Sequence, residues 1–161
     1  MTNIFEYAMQ MEKDGEDYYR QLAQKTGNNG MKTILTMLAD EEVKHYNTIE
    51  KIKTEKTQIA ESEILTDAKN VFVQIKESGD SFDFDIDEAD LYKKARNIEK
   101  KGRDFYTEKA NEVTEEYQKE LFLKLADEEQ KHYILLDNII EFVSQPEQWL
   151  ENAEFFHLED N

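Results

Sequence analysis

LADEEVKHY (residues 38–46) recurs 87 positions later as LADEEQKHY (residues 125–133), changed at a single letter. The same offset lays AMQMEKDGEDYY (8–19) on ARNIEKKGRDFY (95–106) without a gap. It pairs Glu12 with Glu99, Gly15 with Gly102, Tyr19 with Tyr106, Glu42 with Glu129 and His45 with His132. Two copies are too few for a solenoid, so the repeat describes one doubled unit.

Each copy reads as a helical hairpin. In the first, apolar or small residues at Ile4, Ala8, Met11, Gly15, Tyr18 and Leu22 mark a helix over about 3–26. The segment TGNNG (26–30) is a short turn, which brings the next helix back antiparallel. That helix spans about 30–56 with a seam at Met31, Leu35, Leu38, Ile49 and Ile52. The third helix follows the Asp-rich stretch DFDIDEAD, whose aspartates suit an N-cap, and runs to about 111. The fourth starts near Thr114 and carries Phe122, Leu125, Leu136 and Ile139.

Between the hairpins lies a crossover, residues 57–84, whose apolar patch VFVQI (71–75) predicts a helical turn or two. After Pro146 the tail holds Trp149, Leu150, Phe155 and Phe156, too many large apolar groups to stay loose. It is expected to fold back on the bundle or on a partner subunit. The expected architecture is all-α: a four-helix bundle of two repeated hairpins joined by a long crossover, with a short C-terminal helical tail. As one domain over 1–161 it divides into repeat one (about 3–56), crossover (57–84), repeat two (about 85–144) and tail (145–161).

Composition agrees with this reading. One proline, five glycines and 39% hydrophobic residues suit helices with a core, and 161 residues suffice to bury one. The net charge of −17 argues against nucleic acid and anionic membranes, both of which reward basic patches. It is compatible with metal cations, although solubility alone accounts for such charge. No segment approaches the ~20 apolar residues of a membrane span. The start of the chain has no apolar leader, so a cytoplasmic protein is expected. With no cysteine, disulfides, thiolate zinc sites and thiol nucleophiles are excluded.

Polar residues interrupt the apolar seams at matching places. In helix 2 the inward positions between Leu38 and Ile49 are Glu42 and His45; in helix 4, between Leu125 and Leu136, they are Glu129 and His132. Glu12 follows Ala8 and precedes Gly15 on the inward side of helix 1, as Glu99 lies between Ala95 and Gly102. Burying four carboxylates without compensation costs several kcal/mol per charge. Two divalent metals would bring four positive charges against four carboxylates and leave the imidazoles neutral. Glu-x-x-His also places both groups on one helix face, about 5–6 Å apart at Cβ. A single such pair is commonly a buried hydrogen bond; two copies, each with a glutamate 30 residues upstream, point to a metal site.

One glutamate from each of two helices plus Glu-x-x-His from each of the other two resembles the ferritin-like di-iron carboxylate superfamily. Within it the chain is most similar to rubrerythrin-like proteins lacking the rubredoxin domain. The resemblance implies Glu12 and Glu99 as terminal ligands, Glu42 and Glu129 as bridging carboxylates, and His45 and His132 as one imidazole per metal. It implies two metal ions, iron foremost, with manganese or a mixed pair accepted by the same ligands. The activity implied is an oxidoreductase of peroxidase or ferroxidase type that reduces hydrogen peroxide or O₂ as Fe(II) is oxidised. The alternatives are a ferroxidase that stores iron, as in ferritin or bacterioferritin, and a bundle that holds metal for stability.

Two departures from rubrerythrins stand out. Without cysteine there is no rubredoxin-type iron centre, so electrons come from an external donor protein. Rubrerythrins carry a further glutamate one turn before the terminal ligand of the third helix, used in redox-linked ligand exchange; here Arg96 stands there, and its repeat mate is Met9. Val43 and Gln130 follow the motif glutamates where a haem-binding methionine would stand, so no haem is expected. The crossover and aromatic tail suit a homodimer.

Other residues carry weaker expectations. Gly15 and Gly102 each cost about 1 kcal/mol inside a helix; they serve either close packing or access for O₂ or peroxide. Tyr19 and Tyr106, two turns beyond Glu12 and Glu99, suit a hydrogen bond to a ligand carboxylate or simple packing. Asp40, Glu41, Asp127 and Glu128 either orient the ligand histidines or form a solvated face, with solvent expected for most of them, and His157 is expected to be a surface residue.

Overall fold

The computed structural model describes residues 3–79, 82, 84, 85 and 87–151. Six helices lie among them: α1 (Ile4–Lys25), α2 (Asn29–Ile52), α3 (Ile64–Ser78), α4 (Glu88–Lys109), α5 (Glu116–Ser144) and α6 (Pro146–Glu151). There is no strand among the described residues. None of the helices is long and apolar enough to cross a membrane. The fold is the all-α, ferritin-like bundle expected, with α1 packed on α2 and α4 on α5.

Local chemistry sets several helix ends. The Asn3 side chain accepts from the amide of Phe5 at 2.7 Å, and Asn28 from that of Met31 at 2.9 Å. Both satisfy amides that a helix N-terminus leaves without partners. The aspartates before α4 act differently from expectation. Asp87 takes the cap position but makes no side-chain cap bond, and Asp85 instead accepts from the Asp87 amide at 3.1 Å. Glu88 and Asp90 in the first turn still complement the helix dipole.

The inward stripe of α1 also differs from the expected one. Ala8, Glu12, Gly15, Tyr19 and Leu22 are buried, whereas Ile4, Met11 and Tyr18 are only half-buried at its margin. The stripe keeps helical spacing but is turned toward Tyr19, so the glutamate sits at its centre.

The crossover holds more structure than the patch at 71–75 suggested. The helix α3 runs 15 residues, with Ile64, Ala68, Phe72 and Ile75 buried against α2 and α5. It stops at Gly79, whose φ of 69° lies in the left-handed region that glycine tolerates best. At Gly30 a Cβ would come within 2.4 Å of Ile75 Cδ1, so the missing side chain permits this approach of α3. The tail begins as expected: Trp149 and Leu150 are buried, and the Trp149 ring lies 4.6 Å from Phe72 and 5.7 Å from Phe142. Phe155, Phe156 and His157 lie outside the described residues.

Two apolar clusters fill the bundle. One gathers Leu22, Met31, Leu35, Leu38, Leu136 and Ile139 with α3 and α6. The other gathers Ala8, Ile49, Ile52, Tyr106, Phe122 and Leu125. The chain passes between them in opposite senses on α1 and α4, and again on α2 and α5, so both of those pairs are antiparallel. Each fully buried Leu or Ile contributes roughly 1.5–3 kcal/mol. A few such residues on either side offset the desolvation of the polar layer between them.

Candidate metal centre

That polar layer contains the six residues singled out in the sequence. Glu12, Glu42, Glu99 and Glu129 are 2–4% exposed, and His45 and His132 are fully buried. The helical stripe brings each one inward where its apolar neighbours along the helix pack above and below. His45 Nδ1 lies 3.3 Å from Glu12 Oε1 and 3.5 Å from Glu129 Oε1. His132 Nδ1 lies 3.3 Å from Glu42 Oε1 and 3.4 Å from Glu99 Oε2. The two imidazoles stack, with centroids 5.7 Å apart and planes 10° from parallel.

Two overlapping groups result: Glu12, Glu42, His45 and Glu129, and Glu42, Glu99, Glu129 and His132. Within each, one potential ligand atom per residue lies within 4.8 Å of all the others. Glu42 and Glu129 belong to both. Each of the six residues has a buried atom without a hydrogen-bond partner: Oε1 of Glu12, Glu42 and Glu129, Oε2 of Glu99, and Nδ1 of both histidines. Buried polar atoms are rarely left so. The donor set, carboxylate oxygens plus imidazole nitrogen, is the kind that first-row divalent metals take. The chemistry and the converging orphan atoms fit a di-metal site.

Charge explains how the layer stands without metal. Burial pulls Glu12 and Glu99 upward, but His45 beside Glu12 and His132 beside Glu99 prevail, with Glu99 held down to about 2. Burial and the neighbouring Glu12 and Glu99 push Glu42 and Glu129 well above the carboxylate range. Burial disfavours a charged His132, yet Glu99 and Glu41 outweigh it and raise the imidazole well above its usual value. Protons on the shared carboxylates thus take part of the role that cations would fill.

Around the layer, the tyrosines cross between copies. The Tyr19 hydroxyl donates to Glu99 Oε1 at 2.5 Å, and the Tyr106 hydroxyl donates to Glu12 Oε2. The sequence set each tyrosine beyond the glutamate of its own copy. Because α1 and α4 are antiparallel, each comes level with the glutamate of the other. Burial, with Glu99 for Tyr19 and Glu12 for Tyr106, raises both phenols well above their usual value, so they remain donors.

Glu41 and Glu128 overturn the expectation of a solvated face. Both are buried. Glu41 Oε1 lies 3.3 Å from His132 Nε2, with Lys44 Nζ 3.1 Å from its other oxygen. Burial raises Glu41, but the His132 bond and charge prevail and lower it. Glu128 accepts from the Ser62 amide at 3.1 Å and pairs with Lys131 at 3.0 Å. Glu41, His45 and Glu128 form a further close group. One residue before each inward glutamate, the side chain meets the α2–α5 seam rather than water. The sequence signal was the doubled Asp-Glu-Glu kept in both copies. Asp40 and Asp127, one position earlier, are exposed as expected.

The glycines do two things at once. A Cβ on Gly15 would lie 3.2 Å from Glu42 Oε2, and one on Gly102 3.5 Å from Glu129 Oε2. Each glycine makes room for a shared carboxylate. Both also line a cavity of 420 Å³ between α1 and α4, whose mouth includes Tyr7, Met11 and Ile98 and whose floor is the four glutamates. Arg96 contributes no carboxylate there: its guanidinium pairs with Asp137 at 2.5 Å. A family model described as Rubrerythrin matches residues 3–140, with a second match over 90–155. No curated protein and no solved structure matches the chain.

Proposed function

The chain belongs to the rubrerythrin family, and on that premise we propose a di-iron redox protein that reduces hydrogen peroxide or O₂ with electrons from an external donor. The observation that carries the reading is the convergence of six buried side chains, each with an unpartnered atom, into two groups sharing Glu42 and Glu129. Glu12 with His45 and Glu99 with His132 would each hold one ion, and Glu42 and Glu129 would hold both. When bound, the metal pair would polarise the O–O bond and supply electrons from Fe(II).

The chain's own residues arrange the rest. Tyr19 and Tyr106 hold one oxygen each of Glu99 and Glu12, leaving the opposite oxygen for metal. Glu41 orients the His132 ring so that Nδ1 faces inward. Gly15 and Gly102 open the cavity through which a small oxidant reaches the carboxylate floor.

A second reading, Fe(II) oxidation that feeds storage, draws on Arg96. Its pairing with Asp137 leaves no carboxylate at the position, one turn before Glu99, where the exchanging glutamate of rubrerythrins would stand. Anaerobic Fe(II) loading followed by H₂O₂ or O₂, with metal content and anomalous scattering, tests the core of both. Two irons at these residues and growth of oxo-bridged absorption on oxidation are expected. Fewer than two irons under iron-replete conditions would sink the reading. Size in solution separates the two: a dimer supports the redox enzyme and a many-subunit cage supports storage.

A further inference from the structure

The cavity between α1 and α4 is larger than hydrogen peroxide needs. It measures 420 Å³, whereas a peroxide molecule fills little more than two waters, roughly 60 Å³ of liquid volume. Sites that hold small organic molecules run from about 300 to 1,000 Å³. The volume therefore leaves room for a substrate with a carbon chain attached to its oxygens.

The lining changes with depth. At the floor lie the four glutamate carboxylates, and beside them Gly15 and Gly102 present no side chain. Above them stand Met11 and Tyr18 of α1, both half-buried, and at the mouth Tyr7 of α1 and Ile98 of α4. Tyr7 is 52% and Ile98 43% exposed. Among the described residues only three large apolar side chains stand this open to water, and two of them belong to this one mouth. Apolar side chains scattered singly over a surface are ordinary; two gathered at the rim of one cavity point to an apolar ligand. Asp14 and Lys101, also at the mouth, are of opposite sign, so the entrance selects neither for anions nor for cations. Hydrogen peroxide gains nothing from apolar walls, whereas a carbon chain does.

We propose that this cavity takes neutral alkyl hydroperoxides, an inference that rests on the di-metal reading above and names a substrate class for the same site. The carbon chain lies against Tyr7, Met11, Tyr18 and Ile98, and the hydroperoxide group reaches the carboxylate floor beside the two glycines. There the O–O bond breaks as the Fe(II) pair gives up two electrons, one from each iron. Each of the two oxygens takes one proton from water in the cavity, so the hydroperoxide leaves as an alcohol and a water molecule. Both irons end as Fe(III), and the external donor returns the two electrons.

The test uses the Fe(II)-loaded protein, mixed with ethyl, butyl or hexyl hydroperoxide, with H₂O₂ as the reference that shows an active centre. Iron oxidation and the alcohol formed are followed together. The rate constant is expected to rise along the alkyl series, by up to about fourfold per methylene while the chain still gains apolar wall. A second readout needs no turnover. The oxidised, iron-loaded protein is titrated calorimetrically with ethanol, butanol and hexanol, the products, and affinity is expected to rise in the same way. In Met11→Gln and Ile98→Asn, one on each wall and neither a metal ligand, both rises are expected to flatten. Rates that fall along the series, hexanol that binds no more tightly than ethanol, or a rise that survives in both variants overturns the assignment and leaves the di-iron reading intact. A protein that neither binds nor oxidises iron overturns both.

Discussion

The two copies of the repeat agree in the inner layer and part company just outside it. Each supplies one glutamate from its first helix and Glu-x-x-His from its second, at closely matched distances. Behind the histidines the match ends. Glu41 lies 3.3 Å from His132 Nε2, whereas its mate Glu128 is engaged by Ser62 and Lys131, and His45 Nε2 has no hydrogen-bond partner. The cause is connectivity. A chain with two hairpins has one crossover, and at Ser62 it gives α5 a backbone amide for Glu128 and a carbonyl for Lys131. Duplication set the ring of potential ligands, and the single connection made its two halves unequal.

The largest expected effect tests this inequality directly. In Glu41→Gln the His132 ring loses its charged partner, and affinity for one of the two metals falls about 10–100-fold, the usual cost of losing such support. Glu128→Gln should weaken metal binding less. Its main effect is on stability, by roughly 1–3 kcal/mol, because a partly buried lysine and a backbone amide lose a charged acceptor. Metal competition titrations and melting curves on both variants provide the check. Equal losses of affinity would show that the crossover does not distinguish the two halves.

The next effect sets the metal-free layer against the metal-filled one. Glu42 and Glu129 titrate well above their ordinary value of 4.5 when folded, so above that pH the folded state holds protons that the unfolded chain releases. The stability these two contribute without metal is therefore greatest at or below pH 4.5 and falls as pH rises through the raised values of these carboxylates. His132 acts in the same sense, its stabilising protonation being lost as pH climbs through its raised value. Glu12 and Glu99 act oppositely and only in acid, where stability is lost as pH falls below 4.5, for Glu99 down to about 2. Metal replaces the protons, so the decline with rising pH should vanish when Fe(II) or Mn(II) is bound. Melting temperatures with chelator and with metal, taken across that rise, would show it; a flat metal-free profile would contradict it.

The inner layer was more legible in the sequence than its surroundings for a physical reason. Inward positions on a helix recur at fixed spacing, so Glu42, His45, Glu129 and His132 could be read from the gap between Leu38 and Ile49 and its mate. Fold class followed from the same periodicity. For Glu41 and Glu128 the sequence leaves support of the histidines and a solvated face both open, because a contact with a neighbouring helix is not encoded by periodicity along one helix; the structure buries both and sets Glu41 against His132. The crossed bonds of Tyr19 and Tyr106 were hidden likewise, since they depend on α1 and α4 lying side by side. The length of α3 was underestimated because the buried residues extend beyond 71–75 to Ile64 and Ala68.

The smallest effect separates the two glycines. Replacing a helix-interior glycine by alanine gains about 1 kcal/mol when the methyl group finds room. At Gly102 it does: the new Cβ stands 3.5 Å from Glu129 Oε2, an ordinary contact. At Gly15 it stands 3.2 Å from Glu42 Oε2 and 3.4 Å from Cδ, so the carboxylate must move by a few tenths of an ångström. Glu42 belongs to both metal groups, and such a movement disturbs both. Gly102→Ala is therefore expected to raise the melting temperature in chelator and leave metal affinity unchanged. Gly15→Ala should gain less stability and bind metal more weakly. Identical behaviour of the two variants would mean that Glu42 accommodates the methyl group freely, and that the inequality between the copies is confined to the histidine side of the centre.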